Sequence, residues 1–310
     1  MFFNCLLLFE LHLRGKPMNR REIALEAASK AFGLRKSVGV ALHDPICVYD
    51  FAQDLLGVEV HFADISSMEA MYRKQPDPLI LISSLRPSGR QAFSCGHELG
   101  HHVYGHGMRV DELIDENRNS DSVEELQANL FSAFLLMPRQ AISASFAKRS
   151  WNCACPSPEQ VYIVAEELGV GYTTLIWHMS ISVNLMGQAI ARNLLGVRTE
   201  QIRKLILGRA AQERLIVVDQ HWDGAVKAVD AQAGDLILLP RGTLTEGRTV
   251  RLVEENSRGT LYTAVAPGIS RLLQPEVEWG VFVRVSRKGY TGRSVYRHFE
   301  EYDDEEEESE

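Results

Sequence analysis

The sequence lacks any apolar run approaching 18 residues, so no membrane-spanning helix is expected in its 310 residues. Cysteine is scarce: the five residues are odd in number and irregularly spaced, which argues against a disulfide framework and favours a reducing compartment. No internal repeat with a fixed period is present. With 45% hydrophobic and 24% charged residues, the composition is that of a globular protein whose length fits two domains better than one.

An excess of positive charge is also missing. The net charge is −8, and nine of the residues in 300–310 are acidic, so that the body without those nine charges would carry +1. A nearly neutral body gives no general electrostatic reason for DNA binding. We predict that residues 301–310 form a disordered, solvated tail, with engagement of a basic partner as the alternative.

The amino-terminal segment does not have the features of a signal peptide. Its apolar stretch from Phe2 to Phe9 contains Asn4, no basic region precedes it and no small-residue cleavage site follows. We predict that residues 1–17 are a leader outside the folded core, with a translation start at Met18 as the alternative. Together with the cysteine usage, the missing signal predicts a cytoplasmic protein.

The order of patterns along the chain predicts an α+β fold. Residues 18–150 mix helical and strand-like periodicity, residues 151–217 are helical, and residues 218–300 contain short strand-like runs between turn residues. The last unit carries no chemical motif, and a sensor or docking domain there is a hypothesis from architecture alone.

Several local patterns predict individual elements. Helices are predicted over 88–104 and 122–137, and a further helix is predicted to open at Asp44-Pro45 and to run to about residue 56. The apolar run 78–83 predicts a strand, which is either an edge that pairs with an extended substrate or part of the core. Residues 294–298 are also predicted to be a strand.

Residues 161–178 have the rhythm of a helix-turn-helix unit. The second helix, beginning at Tyr172, contains no Lys or Arg, the residues that normally contact phosphates and guanine. We therefore predict that this pair packs against the core or grips a substrate, and direct DNA binding is not expected.

The residues that could bind a metal and catalyse a reaction are concentrated in one motif, His97-Glu98-Leu-Gly-His101. It lies inside the predicted helix 88–104. Histidines four residues apart share one helix face, where both imidazoles can bind the same Zn²⁺ ion. Glu98 projects about 100° around the helix from His97, so it can flank the metal without being a ligand. There it could take a proton from metal-activated water and deliver one to a leaving amine. An exposed polar helix face is the alternative.

The motif needs a third ligand. A third histidine at metzincin spacing would stand at position 107, which is Gly107. Glu125 on the next predicted helix would complete a site of two histidines and one glutamate with one position open for water. Asn129, one turn later, could hydrogen-bond a ligating imidazole. Glu124 is a competing ligand, and a capping box with Ser122 would give Glu125 a purely structural role.

These residues resemble those of the ImmA/IrrE metallopeptidases. The sequence HELGH at 97–101, followed by ELQANLFSAFLLMP at 125–138, is similar to that family's HELGH, E-x-x-A-N and L-L-M-P pattern, and the resemblance spans roughly residues 20–185. Gln127 stands where the family frequently has an acid, while the ligand position is kept. The resemblance implies a mostly helical, zincin-like metallopeptidase domain with a small sheet over residues 18–150.

The resemblance also implies roles for individual residues. His97, His101 and Glu125 match the metal ligands, and Glu98 matches the catalytic glutamate. The expected cofactor is Zn²⁺, with Mn²⁺ or another divalent metal as the alternative. Family members cleave a cognate XRE-type helix-turn-helix repressor, so the implied partner is such a repressor.

A non-catalytic DNA- or protein-binding transcriptional regulator with a structural metal is the alternative function. Glu98 discriminates between the two, because a structural site needs no such carboxylate beside an open position. Amide hydrolysis also needs a donor for the tetrahedral oxyanion. Tyr104, His102 and His106 are the candidates, with a structural role as an equal alternative for each. The sequence does not indicate an oligomeric state.

Overall fold

The structure is a computed structural model that describes residues 19–107, 109–112, 122–222 and 228–300. The predicted leader and the predicted acidic tail lie outside the described residues. Within these ranges, none of the helices is both long enough and apolar enough to cross a membrane.

Helices dominate the first two thirds of the described chain. They are α1 (Arg20–Ser37), α2 (Val48–Asp50), α3 (Ser88–Tyr104), α4 (Val123–Leu136), α5 (Arg139–Ala147), α6 (Pro158–Glu167), α7 (Tyr172–Trp177), α8 (Gln188–Leu195) and α9 (Thr199–Leu207). A π-helical turn continues α2 over Phe51–Leu55, and another continues α7 over His178–Ser182.

Short strands form three mixed sheets. The strands are β1 (Glu59–Ala63), β2 (Met68–Arg73), β3 (Leu79–Ser83), β4 (Arg109–Glu112), β5 (Leu215–Val217), β6 (Ala228–Gln232), β7 (Leu236–Leu239), β8 (Leu244–Glu246), β9 (Val250–Asn256), β10 (Gly259–Ala264), β11 (Gly268–Gln274), β12 (Trp279–Ser286) and β13 (Gly292–Arg293). The strand orders are β13-β1-β3-β2-β4, β5-β7-β10-β9 and β6-β12-β11-β8. Helices combined with small mixed sheets agree with the predicted α+β class, whereas the domain boundaries stay predictions.

Helices α3 and α4 begin and end where their local chemistry requires. Pro87 precedes α3, and Gly105 ends it with a φ of 71°, a left-handed conformation that glycine adopts without a Cβ penalty. Ser122 caps α4 by accepting a hydrogen bond from the backbone N–H of Glu125, and Pro138 follows the end of α4. Both helices coincide with their predicted ranges to within one residue at each end.

The helix predicted to open at Asp44 instead begins at Val48. The buried guanidinium of Arg35 donates hydrogen bonds to the backbone carbonyls of Ala41 and Asp44, so these carbonyls face α1 and do not start a helix. The same guanidinium donates to the carbonyl of Leu135 near the end of α4, at 2.8 Å. One arginine side chain thereby holds this connection in a non-helical path.

Two strand predictions also need correction. Strand β3 lies between β1 and β2, so the interpretation of residues 78–83 as a sheet edge is wrong and the core alternative holds. Residues 294–298 do not form a strand, because a 3₁₀ turn covers Ser294–Tyr296. The hydroxyl of Ser294 donates to the side chain of Gln53 at 2.9 Å, which holds the 3₁₀ turn against the π-helical turn that continues α2.

The helix pair α6–α7 packs into the same core as α4. Val164, Leu168 and Leu175 are buried in one hydrophobic cluster with Phe131. This agrees with the predicted packing of the pair against the core.

The second and third sheets share a separate core. Ile237 and Tyr262 of the second sheet are buried in one cluster with Val229 and Val283 of the third. The inner faces of the two sheets therefore pack against each other.

The carboxyl-terminal end of the described chain returns to the first sheet. Strand β13 pairs antiparallel with β1, placing Arg293 opposite His61. Asp50 accepts hydrogen bonds from Arg284 and from Arg297, each at 2.7 Å. Burial would raise the pKa of Asp50, but these two guanidinium groups lower it, so the carboxylate stays ionised. Charge pairing with α2 and strand pairing with β1 together hold this end of the chain against the first sheet.

We expect the protein to lose stability between pH 7.5 and pH 5 because of His178. Burial lowers the pKa of this imidazole to about 4, and its hydrogen bond to the carbonyl of Met137 offsets the effect only in part. An unfolded histidine has a pKa of about 6.5, so between these values the unfolded chain binds the additional proton. The free energy of unfolding should therefore fall by about 2 kcal/mol at pH 5 on account of this group.

Denaturant unfolding at both pH values, for the wild type and for His178→Gln, measures this contribution. The glutamine amide can still donate to Met137 but does not titrate. The wild type should lose about 2 kcal/mol more than the variant. Parallel losses would show that His178 is not held neutral by burial.

Candidate metal centre

Helices α3 and α4 pack closely because glycines on α3 face small residues on α4. A Cβ atom added to Gly100 would lie 2.9 Å from Cα of Ala128, and one added to Gly96 would lie 2.5 Å from Oγ of Ser132. Such distances leave no room for a side chain at either position. The two helix backbones therefore approach each other, and the motif histidines of α3 come to lie over α4.

Two imidazoles and one carboxylate converge at this contact. Nε2 of His97 lies 3.0 Å from Nε2 of His101. The carboxylate oxygens of Glu125 lie 3.2 Å from Nε2 of His97 and 3.5 Å from Nε2 of His101. Among the residues that the structure describes, these three side chains make up the group that could hold a metal ion.

The donor set fits a divalent cation such as Zn²⁺. Bonds of about 2.0–2.1 Å to a tetrahedral Zn²⁺ hold the donor atoms about 3.3 Å apart, close to the separations observed here. Three protein ligands are also the number that leaves one tetrahedral position for water. Imidazole and carboxylate donors suit other first-row divalent metals as well.

Glu125 uses its backbone and its side chain for different purposes. Its N–H donates to Oγ of Ser122 at 3.1 Å, while its carboxylate faces the histidines. The carboxylate is therefore not used for the capping box that the sequence left as an alternative. Burial would raise the pKa of Glu125, but the close His101 and His97 lower it well below its usual range. The resulting ionised form is the one that binds metals.

Each histidine of the cluster has a partner at its other ring nitrogen. Nδ1 of His97 lies 3.1 Å from Oδ1 of Asn129, the contact predicted from the spacing. Nδ1 of His101 lies 2.9 Å from Nδ1 of His106. The amide oxygen of Asn129 accepts, so it keeps the proton of His97 on Nδ1 and leaves the lone pair of Nε2 free for a metal.

Glu98 is fully buried on α3, one position after His97. The thiol of Cys95 on the same helix is buried too. Burial, followed by the nearby Cys47 and Glu98, raises the pKa of Cys95 well above its usual range. Within the described residues, Cys95 is not part of the candidate metal-binding group.

The three predicted oxyanion donors have different surroundings. Nδ1 of His102 lies 2.8 Å from the hydroxyl of Tyr72 on β2. Tyr104 and His106 stack, with ring planes 16° apart and centroids 5.3 Å apart. Burial, reinforced by Glu26, raises the pKa of Tyr104, so its hydroxyl stays protonated and able to donate. A role for any of the three at an oxyanion stays a prediction.

The sequence interpretation missed the contact between His101 and His106, although the helix end contains a signal for it. The N–H of His106 donates to the carbonyl of His101 at 3.0 Å, and the N–H of Gly105 donates to that of His102 at 3.1 Å. This pair of hydrogen bonds is a Schellman motif, which places the residue after the glycine against the residue five positions earlier.

We expect Gly100→Ala to destabilise the protein by about 1–3 kcal/mol, because the new methyl group must push α3 away from the backbone of α4. This loss is expected even though alanine favours a helix by about 1 kcal/mol over glycine. The displaced histidines should also bind Zn²⁺ more weakly. Urea unfolding and Zn²⁺ titration of the purified protein measure the two effects.

Gly33→Ala is the matched control. Gly33 lies within α1, where an added Cβ would meet nothing within 4 Å. This substitution should stabilise the protein by up to about 1 kcal/mol and leave Zn²⁺ binding unchanged. If Gly100→Ala behaved in the same way, the close approach of α3 and α4 would not be required.

Residues 53–175 match the family described as the IrrE N-terminal-like domain, Peptidase_M78. The matched segment contains α3, α4 and all three side chains of the cluster, and it confirms the resemblance seen in the sequence. No curated protein sequence matches the chain.

One similar solved structure is described as a Mycobacterium tuberculosis transcriptional regulator. It is 14% identical, the match covers 53% of this chain and 52% of that chain, and the TM-score is 0.34. The chain thus spans about half the length of that structure, and a similarity this low supports no conclusion about fold or function.

Proposed function

Since residues 53–175 belong to the ImmA/IrrE family, we propose that the protein is a zinc-dependent endopeptidase that cleaves a regulatory protein. The substrate class that the family resemblance implies is an XRE-type helix-turn-helix repressor. Such a repressor acts inside the cell, so the proposal places the enzyme in the cytoplasm.

The observation that supports this proposal is the convergence of His97, His101 and Glu125 beside the buried Glu98. The two Nε2 atoms lie 3.0 Å apart, and each lies 3.2–3.5 Å from one oxygen of the Glu125 carboxylate, at the contact between two helices. Glu98, whose carboxylate is not part of this group, directly follows His97 in the sequence. Three ligands with an adjacent base are the composition of a hydrolytic metal site.

In this proposal, His97, His101 and Glu125 would hold the metal. A bound divalent cation supplies a water of lowered pKa and polarises the carbonyl of the scissile peptide. Asn129 keeps the proton of His97 on Nδ1, so that the lone pair of Nε2 faces the cluster. The close contact of α3 with α4 fixes the distances between the three ligands.

Glu98 moves the proton in this mechanism. Its carboxylate accepts a proton from the attacking water and then delivers it to the nitrogen of the leaving amine. The proton is conserved over the two transfers, so the residue returns to its ionised form. The fully buried position of Glu98 strengthens its electrostatic interaction with the reacting groups, because bulk water is excluded.

We expect an extended substrate to pair with β4. This strand lies at the end of the first sheet's order, next to β2, and β2 packs against α3. Pairing by backbone hydrogen bonds would lay the substrate alongside the helix that carries the histidines. Strand β4 thereby replaces β3, the edge that the sequence had indicated.

The alternative function is a non-catalytic regulator with a structural metal site. A structural Zn²⁺ site usually has four protein ligands, whereas the candidate group within the described ranges has three. This difference favours the hydrolytic function.

The test uses the purified full-length protein and the XRE-type repressor encoded nearest to its gene. Bound metal is quantified, and repressor cleavage is followed with and without a chelator. We expect one metal per chain and cleavage that the chelator abolishes. Metal binding without cleavage would favour the alternative, and absence of metal binding would contradict both functions.

A further inference from the structure

We propose that His106 is the positioning residue for His101, a role that rests on the proposed metal site. The ring of His101 is fully buried, with Nε2 directed at the cluster and Nδ1 lying 2.9 Å from Nδ1 of His106. His106 thus contacts His101 at the ring nitrogen on the other side from the cluster. Its expected effect is on how His101 presents its lone pair.

The contact between two ring nitrogens requires one donor and one acceptor. If His106 donated its Nδ1 proton, His101 would carry its own proton on Nε2, and that nitrogen could not bind a cation. If His106 accepts, the proton of His101 is held on Nδ1 and the lone pair of Nε2 faces the cluster. Metal binding therefore requires His106 to be the acceptor, in the tautomer protonated at Nε2.

The equivalent partner of His97 is Asn129, which presents an oxygen to Nδ1 at 3.1 Å. An amide oxygen can only accept, so it fixes the tautomer of His97 by itself. Asn129 is thus always an acceptor towards its histidine, whereas His106 donates or accepts according to its own tautomer. As an acceptor, His106 holds the proton of His101 on Nδ1, as Asn129 does for His97.

The helix end and three neighbouring side chains hold His106 in place. The left-handed Gly105 turns the chain back, and the N–H of His106 donates to the carbonyl of His101. The ring of Tyr104 stacks on His106. Tyr104 in turn lies edge-on to Phe131 of α4, with Nζ of Lys30 of α1 4.7 Å from its ring centroid. Three helices therefore fix the acceptor nitrogen.

The experiment compares the Zn²⁺ affinity of the full-length wild type with that of three variants at His106, by competition with a chelator. His106→Asn keeps an acceptor oxygen close to the position of Nδ1, whereas His106→Leu removes it. His106→Gln also provides an acceptor oxygen, but its longer side chain places the amide near the position of Nε2. The visible absorption of bound Co²⁺ reports the ligand geometry of each protein.

His178→Leu is the matched control. It makes the same substitution at His178, a buried histidine that bonds the carbonyl of Met137 and lies outside the cluster, whereas His106 is partly buried. Any loss of Zn²⁺ affinity that comes only from a weakened fold should appear in this variant too.

We expect His106→Leu to weaken Zn²⁺ binding by about 10–100-fold and to change the Co²⁺ spectrum, the size of effect seen when a partner of a ligand is removed. His106→Asn and His178→Leu should stay within about threefold of the wild type. Wild-type affinity and an unchanged spectrum in His106→Leu would overturn the proposal, and so would an Asn variant as weak as the Leu variant.

If His106→Leu does not fold, the test is the comparison of the two polar variants. The His106→Asn protein should bind Zn²⁺ more tightly than the His106→Gln protein, and equal affinities would overturn the positioning role. A wild type that binds Zn²⁺ but does not cleave a repressor would contradict the proposed function while the positioning role is still measured. A wild type that binds no metal would contradict both.

Discussion

Glu98→Gln should keep its metal and lose about 10²–10⁴-fold of its cleavage rate. Glutamine has the size and shape of glutamate, so the buried position on α3 and the neighbouring His97 should be undisturbed. The amide cannot take a proton from water, however, and cannot return one to the leaving amine. The two proton transfers are therefore lost while the ligands of the proposed site remain.

The measurement is the single-turnover rate of repressor cleavage, together with the metal content of each protein. Glu200→Gln on α9 is the matched control, since its side chain is 63% exposed and makes one long ion pair with Arg203. The control should cleave at the wild-type rate. Equal rates for wild type and Glu98→Gln would remove the basis for a catalytic glutamate and favour the structural metal site.

Glu125→Ala should weaken Zn²⁺ binding more than any change to a partner of a ligand, and therefore by more than about 100-fold. The substitution removes the only carboxylate of the candidate group and leaves two imidazoles. The start of α4 should survive, because Ser122 bonds the backbone N–H of residue 125 and not its side chain. The loss of affinity would then report the ligand alone.

Glu124→Ala tests which of two adjacent carboxylates is the third metal ligand, because the sequence allowed either Glu124 or Glu125. The residues are adjacent at the start of α4, and it is the side chain of Glu125 that contacts both histidines. We expect Zn²⁺ affinity close to that of the wild type for Glu124→Ala. If the Glu125 variant retained its affinity and the Glu124 variant lost it, the third ligand would be assigned to the wrong residue.

The sequence was most informative where structure is decided locally. The helix at Ser88–Tyr104 follows from proline before it and glycine after it, and the four-residue spacing of His97 and His101 places them on one face. The contact between α3 and α4 is also encoded locally, through Gly96 and Gly100. Gly100 is part of the motif and Gly96 directly precedes it, but their role becomes apparent only when the facing residues of α4 are known.

Errors arose where a side chain outside the predicted element decides the local conformation. The path of Asp44 is set by the guanidinium of Arg35, and the turn at Ser294 is set by its contact with Gln53 in the π-helical turn after α2. Periodicity reports which face of an element is apolar but not which remote group satisfies its backbone. The partner of His101 is an intermediate case, because a Schellman motif makes the contact foreseeable from Gly105 alone.

The pairing of β13 with β1 has a consequence for biosynthesis. Arg293 bonds Glu59, and the two residues are 234 positions apart. A ribosome adding about 5–20 residues per second delivers the later strand about 10–50 s after the earlier one. During that interval the edge of β1 that receives β13 is a template on which nascent chains can pair with one another. Slow elongation or low chaperone capacity should therefore lower the yield of active protein chiefly by aggregation of incomplete chains.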